Sequence, residues 1–125
     1  MREHISGRRI WFGLLLWSLG ACGGSGRAAD DPQVRAEARR IWSERCANCH
    51  GPRGDGDGPQ ARHLPVKPRR LSDRAWKSSV TDEHLRTVIL EGGAAVGLDL
   101  AMAPNPDLRQ KPAVLDALVQ HVRRL

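Results

Sequence analysis

This sequence predicts an all-α fold of one small domain, and three observations carry the prediction. Apolar residues recur at helical spacing in three separate stretches, each opened by a capping residue or a proline. No stretch has the alternating, β-branched character of a strand. Beyond residue 21 the only aromatic side chains in the 125-residue chain are Trp42 and Trp76. So few large side chains make a thin core for a domain of this size, and something bulkier than a side chain is needed to fill it.

Taken in order, residues 1–21 read as a targeting segment. Arg2, Arg8 and Arg9 precede an apolar run from Ile10 to Leu19. That run is too short to span a bilayer, which needs about 20 residues. It ends Leu19-Gly20-Ala21-Cys22, which resembles the lipobox of bacterial lipoproteins. The resemblance implies that Cys22 is acylated through its sulfur and begins the processed chain; the plainer reading is an ordinary secretory leader cleaved nearby. Residues 22–30 then form a glycine-rich tether, and residues 31–125 form the domain. The expected location is the bacterial periplasm, with the chain lipid-anchored to a membrane.

The first helix starts at Asp31-Pro32, with Asp31 as N-cap and Pro32 at the first helical position. Val34, Ala38, Ile41 and Trp42 share one apolar face. This helix runs into Cys46-Ala47-Asn48-Cys49-His50, which reads as a c-type haem attachment site. Each thiol can add to a haem vinyl group, and the imidazole of His50 is a good iron ligand. A thioredoxin-like pair belongs near a βαβ pattern, which is missing here. A zinc site needs a second ligand pair at suitable spacing. A haem also fills the thin core, so a chain without it should fold poorly.

Gly51 to Pro59 carries too much Gly, Pro and Asp to be anything but a loop. Asp55 and Asp57 lack the glycine and Glu positions of a calcium-binding EF-hand loop, so turn chemistry explains them better. His63 to Asp73 is extended and stiffened by proline. The second ring nitrogen of His50 needs a fixed partner; the carbonyl of Pro59 is the first candidate and that of Pro65 the second. Lys67, Arg69, Arg70, Arg74 and Lys77 form the densest basic cluster, either a docking face or a solvated strip. Trp76 either gives its indole N–H to a haem propionate or packs in the core.

Thr81 caps a helix in which Leu85, Val88 and Ile89 share a face, ended by Gly92-Gly93. A loop from Gly97 to Asp107 contains Met102. The last helix starts near Pro112 and lines up Leu115, Leu118, Val119 and Val122, joined by Leu125. The formal net charge is +6 for the whole chain. Without the four charged residues of the leader it is a modest +4. No aromatic–basic interleaving accompanies that charge, so nucleic acid is not an expected partner.

The order of these parts resembles the class I cytochrome c family. The likeness covers about residues 31–125 and rests on the first helix, Cys46-Ala47-Asn48-Cys49-His50-Gly51, the Gly92-Gly93 to Gly97 stretch, Met102 and the last helix. It implies a small cytochrome c fold whose end helices cross over one covalent haem c, with His50 as proximal ligand and Met102 as distal ligand. Rival distal ligands are His63, His84 and His121, of which the last two read as surface residues. Two departures stand out: Ala103 separates Met102 from Pro104, and His121 stands where relatives carry an aromatic residue. The second implies altered packing where the helices cross.

With both axial positions filled by protein, the expected function is electron carriage rather than catalysis. The expected partners are a donor dehydrogenase or quinol-linked complex and an acceptor oxidase or reductase, with a monomer as the default state. The competing readings are a haem enzyme or gas sensor with an exchangeable distal site, and a haem subunit of a larger oxidoreductase complex.

Overall fold

The computed structural model describes residues 28–125. The leader, Cys22 and the tether as far as Arg27 lie outside the described residues. Helix α1 spans Pro32–Ile41 and passes without a break through a π-helical turn, Trp42–Cys46, into the α-helical turn α2, Ala47–His50. Helices α3 (Arg74–Ser79), α4 (Asp82–Glu91) and α5 (Pro112–Arg124) follow. Short 3-10 turns occupy Ala61–His63, Gly93–Val96 and Pro106–Gln110, and no strand occurs among the described residues. The all-α expectation holds.

The caps anticipated from the sequence form. The Asp31 carboxylate accepts from the backbone N–H of Gln33 (2.8 Å) and Val34 (3.3 Å), and Thr81 Oγ1 accepts from His84 N–H at 3.1 Å. Each satisfies a donor that a helix start leaves without an intrahelical partner. One boundary moves. Ala29, placed in the tether by composition, is fully buried in the core, so the packed domain begins before Asp31. A small apolar residue in a glycine-rich run carries no periodicity to announce this.

Helix α3 was not anticipated within the stretch around Trp76. Its signal was Asp73, whose carboxylate accepts from Ala75 N–H at 3.0 Å and Trp76 N–H at 3.2 Å.

The core is made where α1 and α5 cross. Ala38 and Ala117 are almost completely buried there; their small side chains let the two backbones approach closely. Val114, Leu115, Leu118, Val119 and Val122 of α5 bury against Ile41, Trp42, Leu85 and Leu108. Polar ties lock the arrangement at its rim. Lys111 Nζ, at the start of α5, pairs with Glu37 of α1 at 2.6 Å. Arg86 of α4 pairs with Asp116 of α5 at 2.7 Å. Arg123 reaches from α5 to Asp82 (2.8 Å) and to the backbone carbonyls of Lys77 and Val80, so one guanidinium closes the α3–α4 connection onto the last helix.

His121 differs from its surface expectation. It is half-buried at the crossing, its ring 4.8 Å from that of Trp42. The helix turns it inward because it falls three positions after Leu118 and four after Ala117, both on the buried face.

Candidate haem-attachment site

The thiols and the imidazole sit at the end of one long helix, and the loop after that helix holds the end rigid. A helix terminus leaves its last carbonyls without intrahelical donors. Here the loop supplies the donors: Gly56 N–H bonds the carbonyl of His50 (2.8 Å), Gly58 N–H that of Cys49 (3.1 Å) and Gln60 N–H that of Asn48 (2.8 Å). The approach is so close that a Cβ on Gly58 would lie 2.4 Å from the carbonyl oxygens of both Ala47 and Asn48. Glycine is required there by space. The same loop binds the next segment, since Gly54 carbonyl accepts from Leu71 (2.6 Å) and Ser72 (3.1 Å), and Asp55 accepts from Ser72 Oγ at 2.6 Å. Asp55 also faces Arg53 and Arg70, which accounts for it as turn chemistry.

Those ties bring residues 68–70 alongside the motif, and they correct the expected partner of His50. Its Nδ1 lies 3.1 Å from the backbone carbonyl of Arg69, not from that of Pro59 or Pro65. Pro59 stands between Gly58 and Gln60, whose N–H groups fold back onto the helix end. The segment carried past the imidazole is therefore the later one that Gly54 anchors. A carbonyl can only accept, so Nδ1 carries the proton and Nε2 keeps its lone pair. Burial holds the imidazole below its usual pKa, opposed by the Arg69 carbonyl; burial favours the neutral, ligating form, and the carbonyl fixes the tautomer that leaves Nε2 free.

Cys46 and Cys49 are half-buried and not joined in a disulfide. Burial pushes the Cys46 thiol up to about 11, partly offset by the positive charge of Arg45. Two free thiols beside an imidazole with its Nε2 available fit a covalently attached haem. Cys46 and Cys49 would hold the porphyrin edge and His50 the iron, and the bound group supplies a one-electron iron couple.

Met102 is half-buried in a loop braced from three sides. Its carbonyl accepts from Gly93 N–H at 2.8 Å. A Cβ on Gly93 would stand 2.4 Å from the Asp99 carbonyl and 3.1 Å from Met102 Cβ, so a glycine is needed here as well. On the far side, Asn105 bonds the Ile89 carbonyl through both its backbone N–H (3.1 Å) and its side-chain amide (3.0 Å). Arg45, directly before Cys46, then reaches Asp107 at 3.0 Å and Asn105 at 3.3 Å. This strap ties the motif to the methionine loop across sixty residues. No periodicity or spacing in the sequence marks it.

The rival histidines lie elsewhere. His63 is exposed and accepts from Arg62 at 3.2 Å, His84 is half-buried in the first turn of α4, and His121 packs on Trp42 at the crossing. Trp76 packs at the edge of the core with the Arg69 guanidinium 5.3 Å over its ring. Of the basic cluster, Arg69 pairs with Asp73, Arg70 with Asp55, and Lys67 and Lys77 point to backbone carbonyls. Much of that charge is thus engaged within the chain.

Residues 33–122 match the family model described as cytochrome c oxidase, cbb3-type, subunit III. No curated protein and no solved structure matches the chain.

Proposed function

Because the chain belongs to the cbb3-type cytochrome c oxidase subunit III family of class I c-type cytochromes, with covalently bound haem c, we propose that it is a monohaem electron carrier with His50 and Met102 as axial ligands. One observation supports this above the rest: the His50 imidazole is held by the Arg69 carbonyl with its Nε2 left free, beside two unbridged thiols. A metal site filled from both sides leaves no position for substrate. The remaining chemistry is a change of oxidation state, which His/Met ligation biases toward the reduced form.

In this reading the rigid parts each have a task. The clamp from Gly56 to Gln60 stops the attachment helix from fraying. The braced loop around Met102 holds the thioether in one place, so that little moves when the charge changes. Trp76 offers its indole N–H to a propionate. The electron partners are a quinol-linked complex or dehydrogenase on the donor side and a terminal oxidase or reductase on the acceptor side, with the carrier working as a monomer. The basic leader and Cys22 support export to the periplasm and a lipid anchor, with processing after residue 21.

The test is Met102→Ala in the haem-loaded protein. It should lose the weak red absorption band given by a thioether bound to ferric haem. It should also bind carbon monoxide rapidly when reduced, where the parent is inert. Its potential should fall by roughly 0.1 V, within the ~0.8 V that axial ligands span. An unaltered spectrum removes Met102 from the iron. Rapid carbon monoxide binding by the parent would favour an exchangeable distal site.

A further inference from the structure

Away from the attachment site, the crossing of α1 and α5 leaves a partly enclosed hollow of about 120 Å³. Ala38 and Ala117 are in its wall, together with Arg35, Arg39, Arg124 and His121. The small side chains that let the helices approach also leave the space, and long basic side chains surround it.

Two independent observations make this more than a solvated basic strip. First, neither Arg35, Arg39 nor Arg124 has an acidic partner among the described residues, although most other arginines there do. Arg124 has only a 3.4 Å contact to Gln120. Second, His121 has its Nε2 buried without a hydrogen-bond partner, in a fold where such groups are normally satisfied. Arg35, Arg39 and Arg124 are exposed around one hollow, and an anion seated in it would meet three cationic donors that no carboxylate among the described residues occupies.

We propose that this hollow binds a phosphate-class oxyanion, gripped by Arg35, Arg39 and Arg124 with His121 beside it. The forked guanidinium suits tetrahedral oxyanions, to which it donates two parallel hydrogen bonds. A group of charge near −2 matches three cations better than a single carboxylate does. The hollow is large enough, since a water takes about 30 Å³ of the liquid. The ligand chemistry is shared by inorganic phosphate, a phosphorylated metabolite and a lipid headgroup. The site is independent of the electron-carrier reading. A chain of ring contacts runs from it toward the haem side, because the His121 ring packs at a tilt against Trp42 and Trp42 lies 6.4 Å from His50.

His121 is a built-in reporter. Burial, then the charges of Arg124 and Arg39, hold its pKa below the usual histidine value. An anion that neutralises those charges should raise it. The charged groups lining the hollow with it are Arg35 and Arg39 from α1 and Arg124 from its own helix, while Trp42 of the π-turn contributes only a ring.

The test uses the haem-loaded protein, titrated with inorganic phosphate, pyrophosphate and phosphatidic acid vesicles. Calorimetry and the His121 ring resonances in NMR provide the readouts. Saturable binding that raises the His121 pKa, and that weakens at least tenfold in Arg39→Gln/Arg124→Gln, supports the site. Binding of vesicles but not of free phosphate also supports it and assigns the headgroup as the source. As a control, Arg40→Gln/Arg109→Gln removes the same charge from salt-bridged surface positions. An equal loss of binding in that control overturns the site, as does the absence of saturable binding by all three probes. A pKa of His121 that ignores bound anion overturns it too.

Discussion

The imidazole of His121 lies against the indole of Trp42, ring centre to ring centre 4.8 Å and tilted by 53°. The contact pins the last helix to the turn that leads into the attachment motif. A titratable ring thus does the packing at the point where the two long helices cross. Acid acts on it in a definite direction. With a folded pKa below its unfolded value, His121 takes up a proton more readily in the unfolded chain. Stability is therefore full above about pH 6.5 and falls as pH drops toward the folded pKa. His121→Phe should keep the ring contact and flatten this dependence. Thermal melts of the haem-loaded protein at pH 5 and pH 7 should converge for the variant and differ for the parent. Equal pH slopes in the two proteins would show that the ring at 121 is not the acid-sensitive group.

Gly58 stands too near the helix carbonyls to carry a side chain. In Gly58→Ala the Cβ forces the loop away, and the carbonyls of Asn48 and Cys49 lose their donors. Each unpaired buried group costs about 1–3 kcal/mol, so the melting temperature should drop by ~10 °C or more for a domain of this size. The yield of covalently loaded chain should fall with it, read as haem absorbance per mole of protein. Gly97→Ala is the comparison. No atom lies near a Cβ there, so its loading should be unimpaired even though its left-handed backbone costs some stability.

Arg123 holds Asp82 and two backbone carbonyls with one planar group. Arg123→Gln should cost about 2–3 kcal/mol in urea unfolding, because the carbonyls of Lys77 and Val80 are left half-buried without a donor. Arg123→Lys should recover only part, since an ammonium cannot span the same three acceptors. Full recovery by lysine would mean that charge alone matters at this position.

Removal of the thioether links is the most drastic change. The described core buries one tryptophan, Trp42, with Trp76 at its edge and otherwise only aliphatic side chains, so the double variant Cys46→Ala/Cys49→Ala should show weak, non-cooperative thermal unfolding by circular dichroism. A sharp transition in that colourless chain would show that protein contacts alone suffice.

How much of this was legible from the residues depended on how local the signal was. Asp31-Pro32 and Thr81 mark their helix starts because a cap acts within three residues. Cys46, Cys49 and His50 declare their chemistry because the spacing of the motif is itself the geometry. The partner of His50 was not legible. It is a backbone carbonyl, which every residue has, and which one arrives depends on where the loop from Gly51 to Gln60 folds. Ala29 was equally silent, as burial of a methyl group leaves no periodic trace.

The sequence by itself determined the three longer helices α1, α4 and α5, the attachment motif and the loop that carries Met102, since each rests on contacts between near neighbours. Only the tertiary structure decided that Arg69 orients His50, that Arg45 straps the motif to Asp107, and that His121 turns inward onto Trp42. The π-helical turn at Trp42–Cys46 belongs with these: one extra residue in a turn rotates everything after it about the helix axis. Such facts depend on where distant segments come to rest in three dimensions, and a linear string of residues holds no local mark of that.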